Sequence, residues 1–428
     1  MQKLKRPFFE VSREMEFFDE KELTMQIGHE KESWPLCVLK ELIDNGLDAC
    51  ETVGIPPEIE VTIENDSLCV RDNGPGLPTK VLKKSLDYLK RVSDKLFYIS
   101  PTRGQLGNAL KTVWAVPFVL NGEHGEIEVW SQKLHHTIVV ELDRISQKPA
   151  IDHRSEADPS VKKGTLIKIH WPNLASLIEQ SENDDLYNTM EDLIMKYAAF
   201  NPHATFRIGE KVYEASDIHW KKWGPTDPTS PHWYTTETLR ALIAGYISRE
   251  QNGGPTRTVR EFISEFRGLS RTDKQKELPE KFKDVYLHDL VKDRDIDLER
   301  VKDLLDVMKG LSTAPKPAIL GIIGKDHLKN WLIKYEGITE ISFQYVKIVG
   351  FENNLPHVLE VAFGIYEKGE RNIIVGLNWA PCLENPMEEL SYLLGQMRID
   401  RYDPISVIVH TARPRFEFVD RGKGRIEL

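Results

Sequence analysis

Glu41, Asn45 and Asp48 stand at positions i, i+4 and i+7 of the apolar-periodic stretch 40–50, so a helix there carries all three on one face. Two later pieces offer complementary chemistry. Asp72 precedes a pair of bends built on Gly74 and Gly76, and Arg103 opens the run Arg103-Gly104-Gln105-Leu106-Gly107-Asn108-Ala109. Hydrolysis of a terminal phosphate needs a cation across the phosphates, backbone donors around them and a positioned water. Asn45 offers a neutral carbonyl oxygen suited to Mg2+, which prefers hard oxygens and keeps several waters. Glu41, one turn earlier, can take a proton from the water or polarise it. Asp72 can accept from the exocyclic amine of adenine, as acidic side chains accept from base amines elsewhere. Gly74 and Gly76 remove the Cβ that would hold the backbone off the base. Gly104 and Gly107 place amides where a helix begins, which suits an anion. No G-x-x-x-x-G-K-[ST] occurs, so this is not a P-loop. Each piece alone also reads plainly, as a solvated helix face or an ordinary Asn-Gly and Gly-Pro loop. Together and in this order they imply a site for ATP and Mg2+.

The elements that must position these residues are legible in the periodicity. Ser33 is placed to cap a helix with Pro35 in its first turn, and Leu36, Leu39, Ile43, Leu47 and Cys50 form its buried stripe. Ile59, Val61 and Ile63 alternate, Asn65-Asp66 turns the chain, and 68–71 returns as a strand into Asp72. Val81, Leu82, Leu86 and Leu89 suggest a helix with a basic, solvated face (Lys80, Lys83, Lys84, Lys90). Another helix follows at 109–116. Alternating strands at 127–129, 138–140 and 165–171 and a helix over 185–200 complete an α+β layer. From Tyr234 the pattern turns helical, at 238–249, 259–266 and 298–308. The cluster Asp293 to Asp297 reads as a helix cap rather than a metal site. The Pro-containing stretch 312–317 is the best linker. Beyond it come strands at 341–348, 357–364, 371–377 and 406–410 with a helix at 386–397.

Bulk properties narrow the class. The chain has 428 residues, room for two or three domains, and a net charge of −10, which gives no support for non-specific binding to nucleic acid. Its four cysteines (Cys37, Cys50, Cys69, Cys382) are scattered, with no C-x-x-C pair, so neither a zinc site nor a disulfide framework is expected. No run approaches a membrane span, and an acidic segment from Glu10 stands where a signal sequence would be apolar, so a cytoplasmic setting is expected.

The three boxes in this order resemble the GHKL ATPases: Glu41 to Ala49 resembles the N box, Asp72 to Gly76 the first glycine box, and Arg103 to Ala109 the second. Thr165 matches the superfamily's later threonine. Within the superfamily the chain resembles most the B subunits of DNA topoisomerase VI. Arg103-Gly104-Gln105, Ser93-Asp94-Lys95, Asn201-Pro202-His203-Ala204 and the run from His410 through Lys423 carry that narrower resemblance. It implies a Bergerat-type ATPase α/β sandwich over 1–205, a small helical, helix-two-turns-helix-like region over 206–312, and an α/β transducer-like domain over 313–428. It also implies roles. Glu41 is the general base, Asn45 the Mg2+ ligand, Asp72 the adenine contact, and Lys423 the lysine that reaches the terminal phosphate. Asp48, Gly74, Gly76, Lys95, Arg103, Gly104, Gln105, Leu106, Gly107, Asn108, Ala109 and Thr165 complete the nucleotide-binding set. The expected partners are a second copy joined on ATP binding, a separate topoisomerase VI A-like cleavage subunit, and duplex DNA, with no membrane. Ala109 departs from the pattern, since many relatives carry a third glycine there. No stretch resembles a DNA-cleavage centre, and no long helix follows Lys423. A defence or signalling ATPase module, or a heat-shock-type chaperone without a DNA role, are the competing readings.

Overall fold

The computed structural model describes residues 12–90, 96–103, 109–179, 186–418 and 426–427. α1 (Glu20–Ile27) is capped by Asp19, which accepts from the Glu22 N–H at 3.0 Å. α2 (Trp34–Thr52) carries the expected stripe: Leu39, Ile43, Leu47 and Cys50 are buried and Leu36 half-buried. Its expected cap differs. Ser33 makes no capping bond, because it already has helical φ/ψ at the end of a 3-10 turn (Lys31–Ser33), where its side chain is not set to reach forward N–H groups. Trp34 anchors the entry instead, its indole donating to the His29 carbonyl at 3.1 Å.

The alternating Ile59, Val61 and Ile63 fold as β1 (Glu58–Glu64), paired antiparallel with β2 (Ser67–Asp72) through the expected turn. α3 (Thr79–Ser85) and α4 (Ala109–Asn121) follow. Next come β3 (Gly125–Ser131), β4 (Leu134–Asp143), β5 (Lys148–Ala157), β6 (Thr165–His170), α5 (Leu174–Glu179), α6 (Leu186–Phe200), β7 (Thr205–Ile208) and β8 (Lys211–Tyr213). The eight strands form one sheet in the order β5-β4-β3-β6-β2-β1-β7-β8, antiparallel except for β1 with β7. Ile127, Val129, Ile138, Val140, Ile167 and Ile169 bury on one face, where α2 and α4 lie against β2 and β3. The polar edge strand β5 offered no apolar alternation to read. The aromatic N-terminal segment packs on this layer: Phe17 and Phe18 are buried against Tyr88, with Phe18 also edge-on to Phe118. Phe8 and Phe9 lie outside the described residues.

The helical stretch comprises α7 (Thr236–Gln251), α8 (Val259–Ser264), α9 (Thr272–Lys276), a hairpin of β9 (Val291–Lys292) with β10 (Asp295–Ile296), and α10 (Leu298–Leu311). Asp297 caps α10 as expected, accepting from Glu299 and Arg300 N–H at 3.0 and 3.2 Å. A second sheet then forms from β11 (Gln344–Glu352), β12 (Leu355–Ile365), β13 (Asn372–Leu377), β14 (Ala380–Pro381) and β15 (Ile405–Ala412), in the order β11-β12-β15-β13-β14. α11 (Lys325–Trp331) leads into it and α12 (Glu388–Gln396) precedes β15. β16 (Glu417–Phe418) pairs with β17 (Ile426–Glu427). One apolar core continues from Phe17 through both sheets and the helices between them to Ala412. This is an α+β molecule, as expected.

A buried carboxylate–histidine pair sits inside the second sheet. Glu360 and His410 are both fully buried, and the carboxylate accepts from Gly324 N–H (2.8 Å), Ile323 N–H (2.9 Å) and the Tyr345 hydroxyl (2.8 Å), with His410 Nδ1 at 3.3 Å. Burial alone would raise this carboxyl; the His410 ring and the two backbone donors overturn that and hold it at about 2. A depressed carboxyl adds stability that is whole above its unfolded value of about 4.3 and is lost as pH falls toward the folded value. Urea melts of the chain should therefore lose stability from about pH 4.5 downward. In Glu360→Gln that acid limb should flatten, on a lower plateau at neutral pH; an unchanged limb would exclude Glu360 as its source.

Candidate nucleotide site

β2 delivers Asp72 to the end of its strand with the carboxylate buried. Oδ1 accepts from the N–H of Gly74 at 2.7 Å and of Thr165 at 3.3 Å, and the Thr165 hydroxyl also bonds the carboxylate. Burial pushes the Asp72 carboxyl above its ordinary value, and these donors pull against the rise. A carboxylate has about four lone-pair positions, so an incoming amine can still be accommodated. The surrounding bends are tightly constrained. Gly76 sits at φ +87°, and Gly164 at φ +79° passes so close that a Cβ there would stand 1.7 Å from the Asp72 carbonyl oxygen. Asn73, given no role from sequence, locks the loop. Its Oδ1 accepts from Glu58 N–H (2.9 Å) and the Cys50 thiol (3.0 Å), and its Nδ2 donates to the Pro56 carbonyl (3.1 Å).

α2 passes beside this loop. Asn45 is exposed, not turned into the core, and Glu41 is half-buried one turn before it. A neutral carboxamide oxygen at an open surface, beside a carboxylate one turn away, fits a cation that takes few protein oxygens. Between them on the inner side, Asp44 is buried, accepting from Lys40 at 2.8 Å and from the Tyr197 hydroxyl at 2.7 Å. The i, i+4 spacing of Lys40 and Asp44 was the available signal for that pair.

Asp48 and Arg103 meet each other rather than an open cleft. The Arg103 guanidinium, 1 % exposed, donates to Asp48 Oδ1 (2.7 Å), to both oxygens of Glu51 (2.8 Å each) and to Asn201 Oδ1 (2.6 Å). Glu51 also accepts from Lys222 at 2.7 Å and bonds His203 Nε2 at 3.0 Å. Burial would raise the Glu51 carboxyl, but Arg103 and Lys222 hold it well below the usual range. Burial in turn lowers the Lys222 ammonium to about 8 against the pull of Glu51. The cluster is tied to the second sheet: Asn201 Nδ2 donates to the Trp379 carbonyl at 2.8 Å, and Lys222 Nζ lies 4.1 Å from the Trp379 ring centre. In this geometry Arg103 fixes the start of the second glycine box through buried ion pairs. Glu51, His203 and Lys222 were not read from sequence as a unit, since they lie far apart in the chain and only Glu51 shares α2 with the expected site.

The segment 77–102, ahead of the second glycine box, is anchored at both described ends. Trp114 Nε1 donates to Ser85 Oγ at 2.9 Å, and Lys111 on α4 donates to the carbonyls of Asp87 and Lys90. Ile99 N–H donates to the Tyr234 hydroxyl at 3.0 Å, and Thr229 donates to the Ile99 carbonyl, which joins this segment to the helical stretch. Lys80, Lys83, Lys84 and Lys90 are exposed, as expected of a solvated face. Ala109 is the first residue of α4. Lys95, Gly104, Gln105, Leu106, Gly107, Asn108 and Lys423 lie outside the described residues. The strands either side of Lys423 are β16 and β17, and Ile426 is buried.

The α+β layer thus places Asp72 and Thr165 at neighbouring strand ends, beside a helix bearing Glu41 and Asn45. No family model matches the chain. Among curated proteins it is similar to the B subunit of type 2 DNA topoisomerase 6 from Natronomonas pharaonis, 29% identical over 284 residues, covering 61% of this chain and 32% of that one. It is also similar to the protein of the same name from Saccharolobus solfataricus, 25% identical over 424 residues, covering 91% and 74%. The resemblance to topoisomerase VI B subunits is thus found across most of the chain, although the alignment spans only about a third of the length of the first of these relatives. Among solved structures, the ATPase region of Saccharomyces cerevisiae topoisomerase II aligns with a TM-score of 0.44 at 9% identity, covering 91% of this chain and 77% of that one. No described helix is long and apolar enough to cross a membrane.

Proposed function

We propose that this chain binds and hydrolyses ATP as a topoisomerase VI B-like protein, joining a second copy when ATP is bound and so clamping duplex DNA for a separate cleavage subunit. The observation that carries the proposal is the buried Asp72 carboxylate, bonded by Gly74 and Thr165 and lying beside a helix whose Asn45 faces solvent. Asp72 receives the adenine amine, Glu41 orients and deprotonates the attacking water, and Asn45 is the protein's oxygen for Mg2+. Mg2+, when bound, neutralises charge on the phosphates. Residues 104–109 contribute amides to the phosphates, and Lys423 reaches them from the third region. In this reading 1–205 is the ATPase region, 206–312 the helical one and 313–428 the transducer-like one, coupled through Glu51, Arg103 and Lys222.

ATPase activity with and without duplex DNA tests the reading, together with oligomeric state in a non-hydrolysable analogue. DNA stimulation and analogue-dependent dimers support it; turnover indifferent to DNA would favour a signalling or defence module. Asp72→Asn replaces an acceptor with an amide whose NH2 faces the Gly74 donor or the incoming base. Losing such a buried bond costs about 1–3 kcal/mol, hence roughly 5- to 150-fold in ATP affinity by calorimetry. Unchanged affinity would remove Asp72 from the base pocket.

A further inference from the structure

The solvent-facing side of the eight-stranded sheet holds a second constellation. Glu126 and Glu128 are two apart on β3 and so share a face, and His170 on β6 lies beside them. His170 Nε2 is 3.1 Å from Glu128 Oε1 and 4.0 Å from Glu126 Oε1, and the three ligand atoms lie within 4.8 Å of one another. The one proton on His170 Nε2 can go to Glu128, which leaves Glu126 at 4.0 Å from it and 3.6 Å from His124 Nε2 on its other oxygen. A divalent ion serves both carboxylates and the ring at once. Zinc bonds of about 2.0–2.2 Å place neighbouring ligand atoms roughly 3.3–3.6 Å apart, between the 3.1 and 4.0 Å that separate His170 from the two carboxylates.

Glu128 is also held from behind. Its Oε2 bonds His135 Nε2 at 2.8 Å, and the His135 ring stacks on Trp130 with centroids 4.3 Å apart and planes 3° from parallel. An outer partner of this kind orients a ligating carboxylate. Lys168 on the same face does not compete for the ion's place, because it pairs with Glu64 at 2.8 Å. We infer that Glu126, Glu128 and His170 form a binding site for a divalent transition ion of the Zn2+ class, with His135 as a positioning residue and water completing the coordination. The site is separate from the nucleotide pocket: His170 is five residues from Thr165 on β6, an odd offset that puts the two side chains on opposite faces.

The test is calorimetric titration of the full, tag-free chain with ZnCl2 in excess Mg2+, with Co2+ absorption as a coordination probe. One saturable Zn2+ per chain and a four-coordinate Co2+ band are expected. Both should vanish in His170→Ala, and Zn2+ affinity should fall by about 10- to 100-fold in His135→Ala. Glu128→Gln should also lose the ion while its thermal melt is compared with wild type, which separates loss of the site from loss of fold. The proposal is overturned if the wild-type chain takes up no Zn2+. It is equally overturned if His170→Ala and Glu128→Gln, still folded, bind it as wild type does.

Discussion

Glu41→Ala is expected to slow ATP hydrolysis by about 10²- to 10⁴-fold while ATP binding persists, the range lost when a positioned general base is removed. The split follows from position. Glu41 stands one turn from Asn45 on the exposed flank of α2, half-buried, and among the described residues its carboxylate has no ion pair. The contacts expected to hold the base, at Asp72 and Thr165, belong to strands rather than to this turn. Single-turnover hydrolysis beside equilibrium binding of ATP reads both quantities. Glu41→Gln keeps the size and loses the basicity, so it should behave alike. Full turnover in either variant would falsify the assignment, and joint loss of binding would instead make Glu41 a structural residue.

Glu51→Ala is expected to cost about 3–5 kcal/mol of stability, the cost of leaving buried charges without their partner. Arg103, 1 % exposed, and Lys222, 6 % exposed, would both face a cavity, with Asp48 as the one carboxylate and Asn201 as a neutral acceptor left to Arg103. Denaturant melts of the intact chain read the loss directly. Glu51→Gln retains hydrogen-bond acceptance and volume and should lose less. A change within about 0.5 kcal/mol, typical of surface positions, would mean that the cluster contributes little. Because Glu51 is held well below the ordinary carboxyl range, its contribution is whole above about pH 4.3 and declines with acid.

The helices and strands that carry the site were legible where periodicity is strong. The α2 stripe, the β1–β2 hairpin into Asp72 and the Asp297 cap all stand where the pattern puts them. The relation of Thr165 to Asp72 was legible only through resemblance, since nothing in 93 residues of spacing points from one to the other. Ser33 misled because a residue type that favours caps was read without its backbone conformation, which here is already helical. Strand β5 escaped because an exposed edge need not alternate. Arg103 shows a different limit. Its place before a glycine box suggests a phosphate contact, and its side chain is taken by Asp48, Glu51 and Asn201, residues that converge only once α2 and α6 are packed.

The junction at the end of α6 has a practical corollary. The Phe200 ring lies against Gly376, where an added Cβ would come within 2.6 Å of it, and stacks on His410 at 5.6 Å, while Asn201 bonds the Trp379 backbone. A fragment ending near residue 205 would present that ring bare to water and leave Glu51 without Lys222. Limited proteolysis should accordingly spare this boundary, and any shortened version meant to stand alone has to run past His410.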